Sequence, residues 1–287
     1  MKIFTRIVIW LGFMAAFTLL AMGIWYVCCG GSRTTESLKW LQFLQTIGTF
    51  LLPAIIGAWI WSEGHKPFTW LRLTRTAGWQ EYLLAVAIMI CALPAINMIA
   101  EWNSAIKLPE NLDLIEQKLR EMEDAAAALT ERFLKTDSIG GLLINIGLMA
   151  LLPAMSEEIS FRGTLQQIIT KSSSSTRQAQ VHLAVWLTAV VFSVIHMQFY
   201  GFIPRMLMGA MFGYIFVWTG SLWVPIVMHF TNNGIAVIVY YLSDGIGGFD
   251  KNYADSIGAG TTWWLGVISL IITSLGLLIF YRRTHTR

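Results

Sequence analysis

Charge is scarce in this chain. Only 13% of its 287 residues are Asp, Glu, Lys or Arg, about half of the roughly 25% an ordinary soluble domain carries. A chain so poor in charge cannot cover a water-facing surface, which excludes a soluble globular domain. The formal net charge of +3 is too small an excess to attract nucleic acid. Cysteine is scarcer still. Cys28, Cys29 and Cys91 lack the paired spacing of a zinc site or a disulfide framework, and read as small packing residues. Val27 precedes Cys28 where a bacterial lipid-attachment site wants a small residue. No small-residue cleavage site follows the first apolar run, so it reads as a retained helix and not a removed signal peptide.

Apolar sequence is what the chain has in quantity: 55% hydrophobic residues, with a mean hydropathy of +0.59. A spanning helix needs roughly 17–25 largely apolar residues. Eight stretches meet or approach that: 7–27, 40–61, 82–100, 139–155, 181–200, 203–219, 222–242 and 262–281. The expected fold is therefore all-α, a polytopic membrane protein of about eight transmembrane helices. Pro53 and Pro94 fall inside the second and third, where membrane helices tolerate kinks. The fourth continues as helix past Phe161 to the "KSSSST" break at 171–176. Eight spans put both termini on one side. With that side inside, eleven basic residues lie on inner segments and four (Arg33, Lys39, Arg205, Lys251) outside, the long loop after the third span left out. The positive-inside rule then favours N- and C-termini inside. The compactness of the chain points to a bacterial cytoplasmic membrane.

That loop, 101–138, holds the one sizeable extramembrane element. In it Leu112, Ile115, Leu119, Met122, Ala126, Leu129 and Phe133 recur at intervals of three and four. This is one face of an amphipathic helix over 109–134, opened by acidic residues. A helix lying on the bilayer or capping the bundle is the plainest reading; pairing with a second copy stays open.

Within or beside the spans the ionisable residues singled out are Glu157, Glu158 and Arg162 in the fourth, His196 in the fifth, Arg205 opening the sixth and His229 in the seventh. A charged group near the bilayer centre costs about 2.5–3.5 kcal/mol on insertion scales, so such residues usually face a bundle interior. Spacing lets these meet. Glu157 and His196 are equidistant from the 171–176 break, so in an antiparallel hairpin they lie at one depth. Counting about 1.5 Å per residue along the sixth and seventh spans brings His229 within about 5 Å of that level. Asn233 follows His229 by one turn on the same face. Successive helical residues point about 100° apart, so the two glutamates cannot share a task. Glu158 precedes Arg162 in the favoured i, i+4 order, which leaves Glu157 available for chemistry.

Three spacings now stand in order on three spans: EExxxR in "EEISFR", FxxxH in "FSVIH" with Phe192 and His196, and HxxxN in "HFTNN" with His229 and Asn233. Together they resemble the signature of the CAAX protease and bacteriocin-processing (CPBP) family of intramembrane endopeptidases, related to the type II CAAX prenyl endopeptidase. The resemblance covers residues 139–242. It implies an all-helical membrane fold with a cavity open to water and lipid, and peptide-bond hydrolysis by glutamate-activated water. It implies Glu157 as general base, His196 holding the water, His229 and Asn233 stabilising the oxyanion, and Glu158, Arg162 and Phe192 in support. Its substrates would be membrane-anchored or leader peptides met at the lipid bilayer.

A carboxylate and two histidines (Glu157, His196, His229) could also hold zinc with an open position. The HExxH spacing that would make zinc the default is missing, so no cofactor is required on this reading. GxSG and GxGD are missing as well, and with them rhomboid and presenilin-type chemistry. Asp244 and Asp250 sit at or beyond a span end, as ordinary loop acids do. A proton-coupled transporter would use the same buried acids and histidines, but the chain shows no repeated halves. A non-catalytic scaffold or bacteriocin-immunity protein is the remaining alternative. Residues 1–138 then form the N-terminal helices with the loop helix, 139–242 the catalytic core, and 243–287 a loop and the last span.

Overall fold

The computed structural model describes residues 3–64, 66–170, 177–245 and 256–285. It is all-helical, with eight helices long and apolar enough to cross a membrane among the described residues. In chain order the helices are α1 (Ile3–Cys29), α2 (Thr35–Trp61), α3 (Trp79–Ser104), the loop helix α4 (Asp113–Leu134), α5 (Ile139–Thr170), α6 (Arg177–Ile195), α7 (Phe202–Thr219), α8 (Trp223–Ser243) and α9 (Trp263–His285). The "KSSSST" break, Asp250 and Lys251 lie outside the described residues.

The surface differs from that of a soluble protein, while apolar clusters around Trp10, Phe161 and Phe212 still fill the interior. Large apolar side chains such as Leu19, Trp59, Ile139 and Ile271 are exposed on the outer helices, as a lipid solvent permits. Cys28 and Cys91 are exposed too, so these two cysteines face outward and do not pack the interior. A set of polar residues is gathered inside. From Ser156 to Gln167 every position of α5 is buried, and eight of the twelve are polar: Ser156, Glu157, Glu158, Ser160, Arg162, Thr164, Gln166 and Gln167. Their bonds go largely to backbone: Gln166 Nε2 donates to Gly213 O (3.1 Å), and Gln167 Nε2 to Trp70 O (2.8 Å). That satisfies groups which hydrocarbon would leave unpaired at a cost of several kcal/mol. α5 is thus the hub, wrapped by α1 and α2 on one side and by α6, α7 and α8 on the other.

Proline shapes α2 and α5. Each carries a widened, π-helical turn just before a Leu-Pro pair, at Ile47–Leu51 and Ile146–Leu151. The N–H of Leu52 reaches back to Ile47 O, and that of Leu152 to Gly147 O. A proline ring clashes with the carbonyl four residues back, and the wider turn relieves the clash. α5 has a second π-helical turn at Phe161–Gln166, which starts three residues after Glu158. In α3 the break at Pro94 is bridged from α9: the Ser269 hydroxyl accepts from Ala95 N–H (3.0 Å) and donates to Cys91 O. Between α7 and α8 the reversal uses Gly220 at φ +63°, with its N–H on Phe216 O; only glycine takes that conformation without strain.

The fifth span stops short of the expectation of 181–200. α6 ends at Ile195, and residues 196–201 form a tip that turns into α7. The reversal happens at Met197, whose φ of +55° is left-handed. Inside the hairpin, Ser193 Oγ donates to Phe202 O (2.7 Å).

α4 caps the bundle at the end where this tip lies. Of the expected stripe, Phe133 is buried and Leu112, Leu119, Met122 and Ala126 are half-buried, but Ile115 and Leu129 remain exposed. The stripe faces the bundle without being sealed against it, so polar contacts do much of the anchoring. Arg132 reaches Arg33 O (2.7 Å), Glu123 accepts from Tyr200 N–H (3.2 Å), and Arg120 lies over the Tyr200 ring at 4.2 Å. Glu116 accepts from Leu108 N–H (2.7 Å) and pairs with Arg120 (2.7 Å). The Leu108 bond first, then Arg120, holds the Glu116 carboxyl below its ordinary value of 4.5. A lowered carboxyl contributes stability that is full above the ordinary value and is lost as pH falls through the folded-state value. The start of α4 should therefore keep its protection at pH 6 and lose it progressively as pH falls below 4.5. Hydrogen exchange at Leu108 across the acid range reads it; protection that does not fall with pH would contradict it.

Candidate active site

The buried half of α5 brings its two glutamates to two histidines from other helices. Glu158 and Arg162 are both fully buried and paired at 2.7 Å (Arg162 Nη1 to Glu158 Oε1). The same Oε1 also accepts from His229 Nδ1 at 2.9 Å. Sequence spacing finds the arginine partner but not the histidine, because the second bond spans 71 residues. Glu158 therefore holds two groups: it neutralises the arginine and orients the imidazole.

Arg162 donates through Nη2 to Gly209 O (2.9 Å), and its guanidinium lies over Phe192 at 4.7 Å and Phe212 at 5.5 Å. Aromatic faces partly replace the solvation a buried cation loses. Gly209 is needed for this approach. A Cβ there would meet Ala189 and Arg162 Nη2 at 3.3 Å each, so α6 and α7 could not pack so closely.

Glu157 occupies the middle of the set. Its Oε2 lies 3.9 Å from His229 Nε2 and 4.0 Å from His196 Nε2. Both gaps exceed a direct hydrogen bond and are of the size at which a bridging water is to be sought. His196 stands just past the end of α6, half-buried, with Nδ1 2.7 Å from Phe192 O. A carbonyl only accepts, so Nδ1 carries the proton. In the neutral ring, Nε2 then presents its lone pair towards Glu157. Phe192 touches both rings, at centroid distances of 4.9 Å (His196) and 6.1 Å (His229). Phe212 stacks on His229 at 5.4 Å with planes 24° apart. Phe212 sits in an apolar run without a periodic signal, and sequence reasoning missed it.

Glu157, Glu158, Arg162, Phe192, His196 and His229 thus form one contiguous cluster. Asn233 is half-buried one turn beyond His229, and its Oδ1 accepts from Asn232 Nδ2 (3.1 Å). No direct polar contact joins it to Glu157 or the histidines among the described residues. His182, which spacing did not single out, is exposed on α6 and bonded to Tyr214 Oη (2.7 Å). It lies roughly 21 Å along the helix from His196, outside the cluster. Among the described residues no three His, Cys, Asp or Glu side chains are disposed as a metal-binding group. The residue types would suit zinc, and Glu157 Oε2 stands 3.9 and 4.0 Å from the two imidazole Nε2 atoms.

These observations define an integral membrane protein with a buried carboxylate–imidazole site at the centre of a helical bundle. Comparison with known proteins narrows the class. Residues 139–235 match the model of the family described as type II CAAX prenyl endopeptidase Rce1-like, so the resemblance drawn from the three motifs holds over that stretch. The curated uncharacterized protein YpbD of Bacillus subtilis (strain 168) is 29% identical over 86 residues, 29% of this chain and 38% of that protein. The match thus spans well under two thirds of that relative's length. No solved structure matches the chain.

Replacing Glu158 with Gln should destabilise the protein strongly, because it leaves the Arg162 charge uncompensated in the interior. Removing one partner of a buried pair costs about 3–5 kcal/mol. Thermal unfolding in detergent should show a marked fall for Glu158→Gln. An unchanged midpoint would mean that the Glu158–Arg162 pair is not what holds α5 in place.

Proposed function

We propose that this protein is an intramembrane endopeptidase that hydrolyses a peptide bond of a membrane-associated substrate with water activated by Glu157. The observation that carries this reading is the placement of Glu157 Oε2 between two imidazole nitrogens at 3.9 and 4.0 Å. The family matched by residues 139–235 is one of prenyl endopeptidases, which supports it.

In this mechanism a water molecule hydrogen-bonds through one O–H to the Glu157 carboxylate and through the other to the Nε2 lone pair of His196. Its oxygen attacks the scissile carbonyl as Glu157 takes up the proton. The carbonyl oxygen becomes an oxyanion facing α8, where His229 and Asn233 act as donors. Asn233 offers Nδ2, since its Oδ1 is taken by Asn232. His229 has Nδ1 committed to Glu158, so its Nε2 is the atom left to face the oxyanion. The tetrahedral intermediate collapses as Glu157 passes its proton to the leaving amine, restoring the carboxylate. Every step uses side chains already present, and none requires a metal.

The excess of basic residues on the segments that share a side with the termini supports both termini inside, in a bacterial cytoplasmic membrane. α4 and the 196–201 tip would then lie on the outer side. The Glu123–Tyr200 contact puts those two on one face of the bundle, as eight alternating spans require.

The test is cleavage of a fluorogenic peptide library by purified protein in detergent, with and without chelator. Glu157→Ala should lose at least about 100-fold in activity, the size of a general-base contribution. Its stability should be unchanged, because Glu157 makes no direct hydrogen bond among the described residues. Asn233→Ala should lower kcat by about 100-fold with KM little altered, as loss of one oxyanion donor does. A fully active Glu157→Ala protein would remove the mechanism, and chelator-sensitive cleavage restored by zinc would move these residues into a metal site.

A further inference from the structure

The tip that carries His196 is held by a residue far from it in sequence and outside the stretch matched to the peptidase family. Asn103, in the last turn of α3, is 1% exposed. Its Nδ2 donates to Phe199 O (3.1 Å), and its Oδ1 accepts from Ile203 N–H (2.8 Å). The two bonds fix which way the amide faces, because only that orientation sets the donor against a carbonyl and the acceptor against an N–H.

The tip needs such a partner for two reasons. α7 starts after Gly201, which has no side chain to cap the helix. An N-cap side chain ordinarily accepts from the second or third helical N–H; here Ile203 is the second residue of α7, and Asn103 supplies the cap from another helix. The chain also reverses at Met197, a non-glycine residue in the left-handed region. Strain of this kind costs about 1–3 kcal/mol and persists only where the surroundings over-determine the conformation. Met197 directly follows His196. The Tyr200 contacts to Glu123 and Arg120 brace the same tip from α4, but both are nearer the surface than the Asn103 clamp.

We infer that Asn103 is a positioning residue for His196: by clamping Phe199 and Ile203 it holds the tip so that the His196 ring faces Glu157. This rests on the peptidase reading for its catalytic consequence, though not for its geometry. A misplacement of about 1 Å costs on the order of 100-fold in rate, so the clamp matters even though Asn103 touches no substrate.

The experiment has two arms. In the first, histidine imidazoles are labelled with ¹⁵N in the full-length protein in detergent and compared between wild type, Asn103→Leu and Asn103→Asp, with His196 assigned by its loss in His196→Ala. The His196 signals should shift or broaden in both variants while those of His182 stay in place. Asn103→Asp keeps the acceptor for Ile203 and serves if the leucine variant does not fold. A His196 signal identical to wild type in a folded variant overturns the inference, whatever the protein's activity. In the second arm, Asn103→Leu or Asn103→Asp should lower kcat about 10- to 100-fold with KM changed much less. The same substitution in a His196→Ala background should lower the residual rate no further. An equal loss in that background would mean a general structural role and overturn the positioning role. If the wild type shows no Glu157-dependent cleavage, the peptidase reading fails in the second arm, and the first still decides whether Asn103 sets the ring.

Discussion

One carboxylate oxygen organises this protein. Glu158 Oε1 accepts from Arg162 at 2.7 Å and from His229 at 2.9 Å in a part of the bundle without exposure to solvent. An isolated charge there would not persist, and a pair alone would leave donors and acceptors unmet. The surroundings meet many of them: the Gly209 carbonyl takes one arm of the guanidinium, and Phe192 and Phe212 take its faces. Each of these demands close packing of α5, α6, α7 and α8. The polar cluster therefore specifies the arrangement of four helices that hydrophobicity alone would not, since lipid is as apolar as their outer faces.

The cluster divides the two adjacent glutamates by environment. Glu158 holds both Arg162 and His229 through its Oε1. Glu157, one position earlier, makes no direct hydrogen bond among the described residues and faces the Nε2 atoms of both histidines. The proposed chemistry uses this contrast. The group that must exchange a proton is loosely held, while its neighbour orients His229 through Nδ1, as the third member of a nucleophile–base–orienter set does. The widened turn at Phe161–Gln166 lies just beyond them, in keeping with the concentration of such turns at functional sites.

Much of this was legible in the chain. Scarcity of charge and eight long apolar runs gave the class, and the eight spans are present with ends shifted by a few residues. The Glu158–Arg162 pair was legible because it is local to one helix, and so was the three-and-four spacing that makes α4 a helix. The extent of its burial was not, and Ile115 and Leu129 remain exposed. The end of α6 was also misjudged. Apolar residues continue through Tyr200, but the Ser193–Phe202 bond and the turn at Met197 close the hairpin earlier, so His196 lies in a tip and not within a helix.

The sequence by itself determined what is set within one helix turn or by composition: membrane residence, the helical class, the order of the three motifs and the Glu158–Arg162 pairing. Tertiary structure decided which glutamate meets which histidine, that Phe212 stacks on His229, and that Asn103 holds the tip. Those contacts join residues from 17 to 100 positions apart, and they depend on how each helix is rotated against its neighbours. Helix periodicity cannot supply that rotation along α5. Each widened turn inserts about one residue and so turns everything after it by about 100°. The face presented by Glu157 therefore follows from packing around proline and not from counting.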